Sequence, residues 1–192
     1  MRYPEIYVLR HGQTEWNAVG RHQGQLDSPL TAKGRAQAAH MGRILAERAL
    51  PAELRVFASP SGRARDTADI ACGPLGRDIT HDARLMEVGF GKWEGLTAVE
   101  IDAQFPEMSD KADDMFGWHF TSPDGETFDQ MHSRVSGFLN DLATPAIIVT
   151  HGITSRLLRG IWLGLDFAGM RDLTGGQGCI YHLNDGKLAR YD

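Results

Sequence analysis

Cysteines are scarce in this sequence, and a long apolar run is missing. The 192 residues include only two cysteines, Cys72 and Cys179, which are too few for a disulfide framework, so we expect two buried free thiols. No stretch approaches the roughly 18 consecutive apolar residues that a membrane-spanning helix needs. The N-terminus also lacks the basic segment and apolar run of a signal peptide. These absences favour a cytoplasmic protein that does not bind a membrane.

An excess of positive charge is missing as well. The formal net charge is −5, which argues against a broad basic surface for nucleic acid. It leaves room for a small basic pocket. The hydrophobic content of 42% is ample for one core. At roughly 150 residues per domain, the length predicts a single domain over residues 1–192.

Common phosphate-binding and metal-binding motifs are absent too. Neither the nucleoside-triphosphate P-loop nor the dinucleotide fingerprint occurs, and the glycine-rich run over residues 175–178 follows no predicted strand, so we interpret it as a turn. There is no His-x-x-x-His or His-x-His pair. Two histidines and a carboxylate could still bind zinc or iron, but Arg10 places a permanent cation beside His11. We therefore predict neither a metal nor a cofactor.

What the sequence does contain is a pair of buried-strand patterns that each end in His-Gly. The apolar run over residues 6–9 precedes Arg10 and His11, and the run over residues 146–150 precedes His151. Nearly continuous apolar runs suit parallel strands covered on both faces. Ligands of such sheets bind at the carboxyl ends of the strands. We therefore expect both histidines at one edge of a sheet.

The rest of the chain alternates between strand and helix patterns. Strands are predicted over 6–9, 54–58 and 146–150, a strand or extended segment over 79–85, and a terminal hairpin over 179–183 and 187–191. Helices are predicted over about 32–49, 62–71, 97–105, 126–142 and 153–163. This alternation predicts a three-layer α/β/α fold with a mostly parallel, mixed sheet, and the hairpin predicts an antiparallel edge.

One segment, at about 106–125, has weak periodicity and mixed charge. We interpret it as an inserted surface segment, a candidate lid. It contains His119 beside Trp118, and this histidine is a candidate substrate contact. The remaining histidines outside the His-Gly pairs are interpreted as surface or satisfied core residues.

Five residues are expected to meet around one phosphoryl group. Arg10, His11 and His151 follow strands, Arg63 opens the helix after the second strand, and Glu87 follows the next extended segment. Arginine presents a planar fork of donors that matches phosphate oxygens. A neutral histidine can act as a nucleophile, and a carboxylate can protonate a leaving alcohol. The set therefore predicts a phosphoryl-transfer pocket.

The second arginine has a competitor. Arg65 lies two residues after Arg63, and either side chain could instead be a solvated surface arginine. The choice between them stays open on spacing alone.

Taken together, the motifs resemble those of the histidine phosphatase superfamily, also called the phosphoglycerate mutase-like family. The matching segments follow the order of the family and span nearly the whole chain: Leu9 to Asn17, Asp27 to Ala38, Ser59 to Ala68, Leu85 to Gly95, Pro123 to Thr127, and Val149 to Gly152. The resemblance implies the phosphoglycerate mutase-like fold and favours Arg63 over Arg65.

The resemblance also implies a phosphohistidine mechanism. His11 would attack phosphorus, and Glu87 would protonate the leaving oxygen and later deprotonate water. The phosphoryl oxygens would be held by cationic and polar groups: Arg10, Asn17, Arg63, His151 and Gly152. Such a mechanism needs no metal, because the cations are already arranged around the transferring group.

The function expected from the resemblance is a metal-independent phosphomonoesterase for a small phosphorylated metabolite. The short chain and the segment Phe90 to Gly95 resemble the phosphatase branch of the family. Two alternatives stay open: a cofactor-dependent phosphoglycerate mutase, and a catalytically inactive module that binds phosphate esters. We expect no nucleic-acid or membrane partner, and a homodimer stays open.

Overall fold

A six-stranded mixed sheet forms the centre of the molecule. The computed structural model describes residues 3–108 and 114–192. The strands of the sheet, in chain order, are β1 (Ile6–Arg10), β2 (Arg55–Ala58), β3 (Ile79–His81), β4 (Ala146–Thr150), β5 (Ile180–Asn184) and β6 (Lys187–Tyr191). Their spatial order is β3-β2-β4-β1-β5-β6. The first four strands in this order run parallel, whereas β5 and β6 pair antiparallel, which confirms the predicted antiparallel edge.

Strands β1 and β4 are direct neighbours, although more than a hundred residues separate them. Their parallel register pairs Leu9 with Val149 and Arg10 with Thr150. The residue after each strand is a histidine, so the register brings the two His-Gly pairs to the same edge of the sheet. The expectation drawn from the two apolar runs is therefore confirmed.

Helices cover both faces of the sheet. In chain order they are α1 (Glu15–Ala18), α2 (Ala32–Ala46), α3 (Gly62–Cys72), α4 (Ala98–Gln104), α5 (Met115–Trp118), α6 (Phe128–Asp141), α7 (Gly152–Leu163) and α8 (Phe167–Asp172). Single 3₁₀ turns occur at Gly73–Leu75, Ala83–Leu85, Gly91–Trp93 and Pro106–Met108. The main predicted helices are present, with ends that differ from the predicted ones by up to three residues.

Alternate residues of β1 face two separate cores, because successive side chains of a strand point to opposite faces. Ile6 and Val8 belong to a cluster with residues of α6 and α7, whereas Tyr7 and Leu9 belong to a cluster with residues of α2 and α3. The sheet thus lies between two helical layers, and the predicted three-layer α/β/α fold is confirmed.

The loop after β1 is fixed by a close approach of two backbones. A Cβ atom on Gly12 would overlap the carbonyl group of Gly34, and a Cβ atom on Gly34 would overlap the carbonyl group of Gln13. Only glycine permits such contact. The first turn of α2 therefore packs directly on the loop that carries His11.

The segment over 106–125 differs in part from the prediction. Residues 109–113 lie outside the described residues. Phe116 and Trp118 of α5 are 1% and 5% exposed and belong to the core cluster that covers α6 and α7, so the prediction of a surface segment is wrong for these two side chains. Their aromatic surface is buried against the core, which the weak periodicity of the segment did not indicate. The lid role and the single-domain organisation stay predictions.

Two expectations from composition can be compared with the structure. Cys72 and Cys179 are free and buried, as predicted. None of the helices in the described part of the chain is both long and apolar enough to cross a lipid bilayer.

Candidate active site

A cavity of about 320 Å³ opens at the carboxyl edge of the sheet. Six of the seven predicted site residues line it: Arg10, His11, Asn17, Arg63, Glu87 and Gly152. His151, the seventh, lies next to His11 with 5.1 Å between the ring centroids. The structure therefore brings these seven residues together.

His11 is buried and neutral. Its Nδ1–H donates to the carbonyl oxygen of Gly12 at 2.8 Å, and since a carbonyl only accepts, the proton is on Nδ1 and the lone pair is on Nε2. Burial lowers the pKa of His11 well below its usual range, and the charges of Arg10 and Arg63 lower it further. The ring thus keeps an unprotonated Nε2, the state that a nucleophile requires.

Arg63 forms a hydrogen bond with this nitrogen. Its Nε–H donates to Nε2 of His11 at 3.3 Å. Its other N–H groups donate to the carbonyl oxygens of Gly24 and Leu26 at 2.8 and 2.6 Å and to Asp27 at 2.9 Å. The side chain is 1% exposed, so the loop over residues 24–27 fixes the guanidinium beside Nε2 of His11.

Arg65, the competitor, is exposed on the surface of α3. Of these two arginines, the structure places Arg63 at the cavity, and its role in binding phosphate stays a prediction. Sequence reasoning gave no role to Asp27, whose carboxylate pairs with Arg63 from a separate loop.

Arg10 lies against the start of α7. A Cβ atom on Gly152 would lie 3.2 Å from Cζ of Arg10, tighter than most side-chain contacts, so a glycine at this position leaves room for the guanidinium. Burial lowers the pKa of Arg10, partly offset by the negative charge of Glu87. Nε of Arg10 has no hydrogen-bond partner within the described residues, which leaves a donor for an anion in the cavity.

His151 is fully buried, directly after β4. Its Nε2 forms a hydrogen bond of 2.8 Å with Oγ of Ser59, whereas its Nδ1 has no partner among the residues described. Burial lowers the pKa of His151 well below its usual range, and the charges of Arg63, His11 and Arg10 lower it further. A contact between this nitrogen and a phosphoryl oxygen stays a prediction.

Glu87 is held at the N-terminus of α7. One carboxylate oxygen accepts from the N–H groups of Val88 and Thr154 and from Oγ of Thr154, and the other accepts from the N–H of Ile153, all at 3.0–3.1 Å. The positive end of the helix dipole favours a carboxylate at this position. The side chain thus has one fixed orientation at the cavity.

The turn that carries Glu87 is itself held by a residue that the sequence did not single out. Arg134 of α6 donates to the carbonyl oxygens of Arg84, Met86 and Glu87 and forms an ion pair with Glu126. Sequence reasoning identified only the apolar face of this helix. A polar residue at the border of this face gave no signal of this contact.

Asn17 and the glycine-rich run border the cavity together. Oδ1 of Asn17 accepts from the N–H of Thr14 at 3.3 Å and from Nε2 of Gln177 at 3.1 Å, so its amide NH₂ is the donor end left for a ligand. Nε2 of Gln177 also donates to the carbonyl oxygen of His11 at 3.3 Å. Residues 175–178 have no regular helix or strand, as interpreted, but Gly175 and Gly176 also line the cavity.

His119 lines the cavity too. Its ring packs against Phe90 and Trp118, with centroid distances of 5.6 and 5.5 Å. Burial lowers the pKa of His119 to about 4, and the charge of His22 adds to this effect. A contact between His119 and substrate stays a prediction.

Within residues 3–108 and 114–192, no three histidine, cysteine, aspartate or glutamate side chains come together in a way that could hold a metal ion. Independence from metals stays a prediction that a chelator can test.

We expect the free energy of unfolding to decrease as the pH falls below about 6.5. The pKa values of His11, His119 and His151 are lowered in the folded protein, so the unfolded chain binds protons first and is favoured by acid. The stability is complete above the unfolded pKa and decreases toward pH 4, by up to about 1.4 kcal/mol per pH unit for each histidine.

Urea unfolding of the wild type and His119→Gln at several pH values between 7.5 and 4.5 tests this linkage. The variant is expected to lose stability less steeply than the wild type, whereas His81→Gln, which changes an exposed histidine, keeps the wild-type slope. Equal slopes for the wild type and His119→Gln would contradict the prediction.

The comparison of the sequence with known families gives a match over residues 6–187 to the histidine phosphatase superfamily (branch 1). Among the curated relatives is a protein named probable phosphoglycerate mutase GpmB from Citrobacter koseri, 38% identical over 172 residues, which cover 84% of this chain and 75% of the relative. Another is a glucosyl-3-phosphoglycerate phosphatase from Mycolicibacterium vanbaalenii, 34% identical over 177 residues, which cover 86% of this chain and 76% of the relative.

Solved structures give the same result. Bacillus stearothermophilus YhfR superimposes with a TM-score of 0.80 at 30% identity, over 97% of this chain and 94% of that one. A mycobacterial glucosyl-3-phosphoglycerate phosphatase in complex with VO3 superimposes with a TM-score of 0.76 at 29% identity, over 97% and 96% of the two chains. The order of motifs, the fold, the family match and these relatives agree, and the chain belongs to the histidine phosphatase superfamily, in its branch 1.

Proposed function

We propose that this protein is a metal-independent phosphomonoesterase that hydrolyses a small phosphorylated metabolite through a phosphohistidine at His11. One observation carries the proposal. Nε2 of His11 is unprotonated and borders the same cavity as Arg10, Arg63 and Glu87. A nucleophile, two cations for phosphoryl oxygens and a proton donor are the parts that this reaction needs.

In the first step, Nε2 of His11 attacks phosphorus and the bond to the leaving oxygen breaks. Glu87, which takes up a proton when the ester binds, donates this proton to that oxygen, so the product leaves as a neutral alcohol. The imidazole gains positive charge as the new bond forms, and the carbonyl of Gly12, which accepts from Nδ1–H at 2.8 Å, stabilises that charge. Arg10 and Arg63 neutralise the phosphoryl oxygens.

In the second step, a water molecule attacks the phosphohistidine. Glu87, now ionised, takes a proton from the water, and the bond between phosphorus and Nε2 breaks. The fixed orientation of the Glu87 carboxylate at the N-terminus of α7 suits both transfers, because the acid of the first step and the base of the second are the same group. Inorganic phosphate then leaves, and His11 is neutral again.

The names of the relatives suggest the substrate class. One relative is named a glucosyl-3-phosphoglycerate phosphatase and another a probable phosphoglycerate mutase. We therefore propose a small phosphorylated metabolite as the substrate. The mutase name favours one further candidate function, the exchange of a phosphoryl group between positions of the same molecule. A cytoplasmic location, the absence of a cofactor and a homodimeric state stay proposals from the sequence.

An assay with two esters and a chelator tests the proposed function. We expect the protein to release inorganic phosphate from p-nitrophenyl phosphate and from 3-phosphoglycerate at rates that excess EDTA leaves unchanged. Conversion of 3-phosphoglycerate to 2-phosphoglycerate faster than its hydrolysis would establish the mutase instead. Binding of phosphate esters with neither reaction would identify an inactive binding module, and loss of activity with EDTA would contradict independence from metals.

A further inference from the structure

One wall of the cavity consists of polar residues that the proposed phosphoryl chemistry does not use. Ser155, Arg156 and Arg159 all belong to α7 and all line the cavity. The N-terminus of the same helix holds Glu87. The wall therefore extends from the reacting centre along the helix.

Arg159 is the most unusual of these residues because its guanidinium is buried, with 1% of the residue exposed. Nε donates to the carbonyl oxygen of Ser155 at 3.1 Å and Nη2 to that of Thr174 at 2.9 Å. The guanidinium carbon lies 3.8 Å from the centre of the Tyr181 ring. Nη1 is buried and has no hydrogen-bond partner within the described part of the chain.

Two further donors on this wall also lack a partner. Nε of Arg156 and Oγ of Ser155 are buried and lack a hydrogen-bond partner among the described residues. An unsatisfied buried polar group costs about 1–3 kcal/mol, so several of them on one wall of a cavity indicate that a ligand completes their hydrogen bonds.

The charge of this wall is also unbalanced. Within residues 3–108 and 114–192, no carboxylate lies within ion-pair distance of Arg156 or Arg159. Two other arginines of the cavity differ, because Arg21 pairs with Glu100 and Arg63 with Asp27, whereas Arg10 is the arginine assigned to the phosphoryl group. A buried cation without a counter-ion is costly, and an anionic ligand would remove that cost.

We propose that Arg156 and Arg159, with Ser155, form a second anion subsite that binds a carboxylate or a second phosphoryl group of the substrate. The inference rests on the proposed function for the identity of the first anion, the phosphoryl group at His11. With a rise of 1.5 Å per helical residue, these arginines lie on the order of 6–10 Å along α7 from Gly152. A phosphate ester of a three- to six-carbon acid spans that range.

Matched pairs of esters separate the second anion from the rest of the substrate. One pair is 3-phosphoglycerate, which carries a carboxylate, and glycerol 3-phosphate, which carries a hydroxymethyl group at the same position. A second pair is 6-phosphogluconate and glucitol 6-phosphate, and a third is fructose 1,6-bisphosphate and fructose 6-phosphate. If the subsite binds a carboxylate, we expect a higher kcat/KM for 3-phosphoglycerate and 6-phosphogluconate than for their partners. If it binds a phosphoryl group, we expect a higher kcat/KM for fructose 1,6-bisphosphate than for fructose 6-phosphate.

Substitutions test the residues themselves. Arg159→Gln and Arg156→Gln are each expected to lower kcat/KM for the doubly anionic ester by about 10- to 50-fold. The singly anionic partner and p-nitrophenyl phosphate are expected to change by less than about threefold, because they make no contact with the subsite. Arg159→Lys, which keeps the charge, is expected to restore part of the preference. Arg65→Gln, on the surface of α3, is the control and leaves every ratio unchanged.

Binding at equilibrium keeps the test independent of turnover. In a His11→Ala background, calorimetry is expected to show tighter binding of the doubly anionic ester, and Arg159→Gln is expected to remove the difference. If Arg159→Gln does not fold, as circular dichroism would show, the partly exposed Arg156 decides through its own variant.

The inference and the proposed function fail in distinguishable ways. A wild type that hydrolyses p-nitrophenyl phosphate but prefers neither member of any pair would overturn the subsite and leave the proposed function standing. Arginine variants in which kcat/KM falls equally for both esters of a pair would also overturn the subsite, since the arginines would then act only on the fold. If no ester is hydrolysed, the proposed function fails, and the binding arm alone decides the subsite.

Discussion

Replacing His11 by alanine is expected to lower kcat for every phosphomonoester by at least about 10⁴-fold, as loss of a covalent nucleophile does in other enzymes. Arg10, Arg63 and Glu87 would still bind and polarise the phosphoryl group. The protonation pattern of His11, with the proton on Nδ1 and the lone pair on Nε2, leaves one atom that can attack phosphorus. Without this atom, hydrolysis needs direct attack by water on the ester, and Glu87 cannot protonate the leaving oxygen and deprotonate that water in the same step.

The phosphorylated intermediate provides a second, direct test of the role of His11. Brief mixing of the wild type with an ester labelled in the phosphoryl group, followed by a quench in alkali, is expected to leave the label on the protein. The bond is expected to be acid-labile and alkali-stable, as a phosphoramidate is, whereas His11→Ala traps no label. His81→Ala removes an exposed histidine far along the chain and is the control, with wild-type rate and labelling.

Two outcomes would contradict the role of His11. One is a His11→Ala variant that keeps more than about 1% of the wild-type rate while it is folded and binds phosphate. The other is wild-type protein that turns over esters rapidly and is labelled on a different residue. Either result would move the nucleophile to another group and leave the cavity only as a binding site.

The sequence was sufficient to predict the sheet edge at which the site lies. The apolar runs that precede His11 and His151 indicated two buried strands, and buried parallel strands place their carboxyl ends together. The pairing of Arg10 with Thr150 was not readable, because the order of strands depends on how the intervening helices pack. The order of strands and helices added Arg63 and Glu87 to the predicted set, and the resemblance to a family added Asn17 and Gly152.

What could not be predicted is the set of residues that hold the site in place. Asp27 reaches Arg63 and Arg134 reaches the Glu87 turn across the fold, and neither residue lies near its partner in sequence. The burial of Arg159 depends on Tyr181 of β5, so on the sequence alone it is one more charged residue of a helix. Contacts of this kind follow from tertiary packing, which no local pattern encodes.

The burial of Phe116 and Trp118 has the same cause. A segment of mixed charge and weak periodicity is typical of a surface loop, but here the two aromatic side chains pack into the core between the strands and α6. Three aromatic residues within five positions were the one signal of this packing, and the charges around them concealed it. The part of the cavity that His119 lines is built on these packed side chains.

Replacing Glu87 by glutamine is expected to lower kcat by about 10³-fold for alkyl phosphates, but by no more than about tenfold for p-nitrophenyl phosphate, within the range found for general acids. An alkoxide is a poor leaving group and needs a proton as the bond to phosphorus breaks. The p-nitrophenolate ion leaves without one, so only the second step, in which Glu87 activates water, slows for that ester. A plot of log kcat against the acidity of the leaving alcohol is therefore expected to be steeper for Glu87→Gln than for the wild type.

The variant changes a group that also has structural contacts, and the design allows for this. In the variant, the NH₂ of the glutamine would face the N–H of Ile153 or the donors of Thr154. All of these groups now donate to Glu87, so some loss of stability is expected. Folding and phosphate affinity are measured beside the kinetics, and Glu53→Gln, at an exposed carboxylate, is the control. A uniform loss for all leaving groups, with the slope unchanged, would show that Glu87 donates no proton to the leaving oxygen, because only that transfer makes the loss depend on the leaving group.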